Sequence, residues 1–156
     1  MAKKNKGRRK VIETVYIISR TGLPLLYVDF VSQEDDVDAV TLFSGIISAI
    51  QVAMAEIDVG VPSFFDTEKN EIFMNVTEKF AIAVVKNQEP IDRNEMNKLI
   101  DEIQTLISFD QEVEDFSAIG GETKEVISKK IREIVNNWED YISEREATKR
   151  IKDSLW

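Results

Sequence analysis

Three short apolar segments near the middle of the chain constrain its fold more than any other feature. Residues 63–66 (SFFD), 71–77 (EIFMNVT) and 80–86 (FAIAVVK) are separated by the four residues TEKN and then by Glu78 and Lys79 alone. Parallel strands need a crossover of a dozen or more residues, so connections this short predict an antiparallel meander. Residues 80–85 are apolar throughout, which places that strand centrally with both faces covered.

The opening of the chain reads the same way. Residues 11–19 (VIETVYIIS) are rich in β-branched side chains, the turn Arg20-Thr21-Gly22 offers a glycine for positive φ, and residues 23–31 (LPLLYVDFV) resume as a strand. Pro24 cannot donate to a ladder, so this second strand lies at an edge or begins beyond the proline. Between hairpin and meander, a polar stop and the acidic residues Glu34, Asp35, Asp36 and Asp38 lead into a long helix running from Ala39 to about Asp58, ended by Gly60 and Pro62. That acidic cluster lacks the residue order of a calcium loop, and a helix N-terminus accounts for it.

Asp92 and Glu95 form a capping-box-like start for a second helix, with Met96, Leu99, Ile100, Ile103, Leu106 and Ile107 on one face. The acidic residues 110–115 and the pair Gly120-Gly121 read as a linker or frayed end. Glu122 opens a third helix with Ile127, Ile131, Ile134, Trp138, Tyr141 and Ile142 on one stripe. Residues 143–156 continue it or restart at Ser143. The expected fold is α+β: one five-stranded antiparallel sheet in β-β-α-β-β-β-α-α order with helices on both faces. Residues 1–10 form a basic arm, 11–142 the domain and 143–156 a helical extension.

Composition narrows the function. The chain of 156 residues has no Cys and no His, which removes thiol nucleophiles, imidazole bases and most zinc sites. There is no phosphate loop and no dinucleotide fingerprint. Paired carboxylates for a hydrolase are not distinguished by any spacing, so the reading is of a non-enzyme with no cofactor and no metal. Residues 1–10 (MAKKNKGRRK) carry six positive charges, Lys3, Lys4, Lys6, Arg8, Arg9 and Lys10, while the rest of the chain has a net charge of −15. An acidic body argues against nucleic acid as partner. The arm reads as solvated, with weak contact to an anionic membrane open to it. The run after it is broken by Glu13, so it is no signal peptide, and the expected location is cytoplasmic, peripheral to a membrane at most.

The first helix is the informative segment, because residues 39–55 contain no charge at all. With Phe43 centred on the sheet, the covered half is Phe43, Ile46, Ile47, Ile50, Ala53, Met54 and Ile57, at 100° per residue. The opposite half, with Thr41, Ser44, Gly45, Ser48, Gln51, Val52 and Ala55, is small and uncharged where a solvated helix carries Lys and Glu. Charge depletion marks the core of a protein–protein contact. Ser44, Ser48, Gln51 and Ala55, with Thr41 and Val52 at the margins, are therefore the candidate interface. Coverage by residues 143–156 of the same chain is the competing reading. A membrane span is ruled out by the short, interrupted run.

The segment YIISRTGLPLLYVDF (16–30) resembles the opening hairpin of longin and roadblock-type domains, and the element order is similar to longin. It is most like the small stand-alone longin-like proteins of archaea related to trafficking machinery. This resemblance implies a dimerising platform, with itself or with another such domain, that serves a small Ras-like GTPase or a membrane-associated complex. No SNARE heptads follow the domain. A small-ligand sensor of profilin- or PAS-like type is the alternative, with Tyr16, Tyr27 and Asn75 as the polar handles of a pocket between sheet and helix.

Overall fold

A computed structural model describes residues 10–19, 21–31, 37–60, 63–77, 79–110 and 121–154. The elements are β1 (Ile12–Ser19), β2 (Pro24–Asp29), α1 (Val37–Glu56), β3 (Phe64–Asp66), β4 (Glu71–Val76), β5 (Phe80–Lys86), α2 (Arg93–Asp110) and α3 (Gly121–Ser154). The sheet is antiparallel throughout with strand order β2-β1-β5-β4-β3. This is the expected α+β fold. Pro24 sits in an outer strand opposite Ile18, where its missing N–H is harmless. The arm (residues 1–9), Glu34, Asp35 and Asp36, and the acidic linker after Asp110 lie outside the described residues.

The alternation along β5 sorts the two faces. Phe80, Ile82 and Val84 pack with the inward residues of α2 and α3, namely Met96, Leu99, Ile103 and Ile107, and Ile127, Ile131, Val135, Trp138 and Ile142. Burying one such leucine or isoleucine contributes about 1.5–3 kcal/mol. Ala81 and Ala83 face the other way, with Ile18 and Met74, and there Ile47 of α1 packs on them. Large residues thus point at the helix pair and alanines at the single helix. The third-helix stripe differs from expectation at two places: Val135 is buried and Tyr141 is exposed.

Two buried charges lock the end of the sheet where β1 begins. Lys86 is fully buried, pairs with Glu71 across the β4–β5 ladder, and donates to the carbonyls of Asn87 and Glu89 at 2.7 Å each. Glu139 of α3 accepts the N–H groups of Val11 (2.6 Å) and Ile12 (3.2 Å), so the third helix holds the start of the first strand. Trp138 reinforces the same corner by donating from Nε1 to the Glu95 carbonyl at 3.0 Å.

Beyond Ile142, α3 continues without a break to Ser154, and its residues from 147 onward are exposed. Its core stripe packs on the face opposite α1. The reading in which this extension shields the first helix is therefore corrected.

Candidate functional site

The hairpin turn between β1 and β2 positions α1. Gly22 has φ +91°, which L side chains rarely adopt, and a Cβ there would stand 3.0 Å from the Ser48 Cβ and 3.7 Å from the Gly45 Cα. A backbone can approach a helix this closely only where both partners are small. Below the turn, Tyr16 stacks on Phe43 with ring centroids 4.4 Å apart and an interplanar angle of 26°. Burial raises the Tyr16 pKa above the ordinary tyrosine value. The Thr14 side chain offsets this in part, and the Asp29 charge adds to it.

These contacts turn α1 away from the orientation that periodicity suggests. The stripe against the sheet is Val40, Ser44 and Ile47, with Phe43, Ser48, Gln51 and Met54 half-buried beside it. Relative to the expected covered half, the helix is rotated by roughly 80° at 100° per residue. Ser44 is fully buried within its own chain and cannot belong to a surface in the folded monomer. Its Oγ and the Gln51 Nε2 are buried with no hydrogen-bond partner. Ser48 is half-buried beside Gly22, while Thr41, Val52 and Ala55 are exposed.

What faces outward instead is apolar. Leu42 is 66%, Ile46 48%, Val52 58% and Ile57 68% exposed, with Ala49 and Ala53 exposed between them. Ile46, Ala53 and Ile57, expected under the helix, are on top of it. The signal for this was present, since 42, 46, 49 and 53 also advance in steps of three and four. An uncharged helix carries two apolar stripes, and periodicity alone does not choose between them. Exposed apolar patches are the kind of surface that protein contacts use.

The proposed handles of a ligand pocket do not converge. Tyr16 and Tyr27 are directly opposed across β1 and β2 and share a face. Asn75 is on the other face, where its side-chain amide donates to Gln104 Oε1 of α2. Among the described residues, no group of three or more carboxylates is placed to hold a metal ion, and no helix is long and apolar enough to cross a membrane.

No protein-family model and no curated protein matches the chain. Among solved structures it is similar to MglB of Myxococcus xanthus, at 14% identity over 69% of this chain and 90% of that one, with a TM-score of 0.49. A Roadblock/LC7 domain from Streptomyces avermitilis matches at 14% identity over 67% of this chain and 93% of that one, with a TM-score of 0.46. The gliding protein MglB of Thermus thermophilus matches at 15% identity over 56% and 70%, with a TM-score of 0.40. The Streptomyces avermitilis neighbour is a Roadblock/LC7 domain, one of the two domain types that the opening hairpin of this chain resembles.

Proposed function

We propose that the chain is a non-enzymatic interaction module that pairs with a second domain of its own kind through the outer face of α1, and that the pair is a platform for a small Ras-like GTPase in a membrane-associated or trafficking complex. The observation that carries the pairing is the apolar row Leu42, Ile46, Ala49, Ala53 and Ile57, exposed on a helix whose Ser44, Ser48 and Gln51 are turned inward. A partner helix laid on that row removes it from water, and a two-fold arrangement lets one row serve both copies. The GTPase comes from the longin and roadblock resemblance of residues 16–30, and no contact residue for it is assigned.

The test is sedimentation velocity at tens of micromolar on the native chain and on Ile46→Glu. The native chain is expected to sediment as a dimer. The variant places two carboxylates at the contact, so it is expected to be a monomer with unchanged far-ultraviolet circular dichroism, because exposed substitutions change stability by only about 0.5 kcal/mol. A dimer that survives Ile46→Glu refutes the assigned face. A native monomer that recovers no second domain in a pull-down refutes the pairing itself.

A further inference from the structure

The inner and outer faces of α1 are exchanged relative to their chemistry. Ser44 is fully buried against the sheet, and its Oγ and the Gln51 Nε2 have no hydrogen-bond partner. On the far side Leu42, Ile46 and Ile57 are exposed, with Ala49 and Ala53 between them. Burying polar atoms without partners while leaving aliphatic side chains in water is unfavourable on both counts. A partner laid on the aliphatic row offsets that cost, so the arrangement suits a paired chain.

For an unpaired chain, the surface that fits the row is its own sheet. A rotation of α1 about its axis by roughly 80°, at 100° per residue, brings Ile46, Ala53 and Ile57 onto the sheet side and moves Phe43 to its centre. The same rotation carries Thr41, Ser44, Ser48 and Gln51 out to water. Residues 39–55 hold no charge, so no ionised group passes beneath the helix on the way. The floor beneath α1 includes Ala81 and Ala83 of β5, whose methyl groups are too small to lock a helix by interdigitation. Ser44 and Ser48 are neighbours on the helix surface, so the Gly22 turn, now against Ser48, meets a serine in either orientation. What the rotation gives up is the Tyr16–Phe43 ring stack.

We propose that α1 has two rotational registers about 80° apart and that pairing selects between them, an inference that rests on the pairing through the outer face of α1. The register seen in this structure is the paired one, with the aliphatic row outward. In the unpaired chain the helix turns that row onto its own sheet and presents its serines to solvent. A lone copy thus hides its docking surface until a second copy binds, which protects it from chance apolar contacts.

The chain has no cysteine, so a single Ser44→Cys reports the register through its rate of reaction with iodoacetamide. It is placed in the native chain, in Ala49→Glu and in Ile46→Glu. Residue 49 is exposed here and stays off the sheet after the rotation, so Ala49→Glu breaks the pair and leaves α1 free to turn. Ile46→Glu also breaks the pair, but rotation would drive its carboxylate beneath the helix and is therefore blocked. The Ser44→Cys thiol is expected to react at least about tenfold faster with Ala49→Glu than in the native chain, and to stay slow with Ile46→Glu. Ala83→Cys, at a fully buried position of β5, reports opening of the fold and is expected to stay slow throughout. A Ser44→Cys thiol as slow with Ala49→Glu as in the native chain overturns the proposal. So does one that is fast with both glutamate substitutions, which marks a helix detached rather than rotated, or an Ala83→Cys thiol that quickens alongside it. Sedimentation velocity on the same samples reads the pairing separately. A monomeric native chain overturns the pairing and the coupling with it, whereas a native dimer whose thiol stays slow once Ala49→Glu separates it overturns the rotation alone.

Discussion

Gly22 and Ser48 stand so close that one extra methyl group on the turn would meet the helix. The ideal Cβ of residue 22 falls 3.0 Å from the Ser48 Cβ and 3.3 Å from its Oγ, and the backbone there has φ +91°. Gly22→Ala is therefore expected to destabilise the fold by about 2 kcal/mol, combining the positive-φ penalty of about 1–2 kcal/mol with the displacement of α1. Urea unfolding checks it, and an unchanged midpoint would show that the hairpin does not seat the helix.

Ser44 offers the opposite sign. Its hydroxyl is fully buried on the sheet side of α1 without a hydrogen-bond partner. Ser44→Ala is expected to be neutral or stabilising by about 1 kcal/mol, since it removes a desolvated group that gains nothing in return. A loss of more than about 1 kcal/mol in the same unfolding experiment would mean that the hydroxyl is bonded in solution.

The Lys86–Glu71 pair separates the cost of breaking an ion pair from the worth of having one. Glu71→Ala leaves an ammonium buried with only the carbonyls of Asn87 and Glu89, and is expected to cost about 3–5 kcal/mol. The double change Lys86→Met with Glu71→Leu should recover most of that loss, because an apolar pair of similar volume needs no compensation. A double-mutant cycle by calorimetry decides it. Equal losses in the single and double variants would refute the buried-charge account.

Tyr16 links stability to alkaline pH. Its pKa is raised in the folded state, mainly by burial, so its contribution is complete below the unfolded value of about 10 and is lost as pH rises through the folded value. In a spectrophotometric titration one phenol is expected to ionise after the others, together with a fall in stability. Tyr16→Phe keeps the ring on Phe43 and should abolish that late step. Three phenols titrating together in the native chain would contradict the assignment.

Local pattern carries a long way in this chain. The short connections after residues 66 and 77 dictate antiparallel pairing, and Pro24 selects an outer strand. The runs in β1 and β5 announce central strands, because their side chains are apolar on both faces and only covered strands tolerate that. Asp92 marks the start of α2, where its Oδ1 accepts the Asn94 N–H at 2.9 Å. Each of these signals acts between residues a few positions apart, so a linear reading suffices.

The rotation of α1 and the buried charges at the end of the sheet depend on residues far apart in the chain. Ala39 to Ala55 holds two apolar stripes of equal spacing, and the choice between them falls to Gly22 and Tyr16, which lie in the hairpin and meet the helix only after folding. Lys86 looks like the polar end of a strand until the ladder brings Glu71 beside it. The orphaned oxygen of Glu95 exists because Arg145, 50 residues onward, closes over one side of the carboxylate and not the other. Periodicity determines which residues share a face of an element. Which face is covered, and which buried polar atom is left unbonded, is decided by packing between distant segments, because desolvation and hydrogen bonding depend on what lies within a few ångströms in space rather than in sequence.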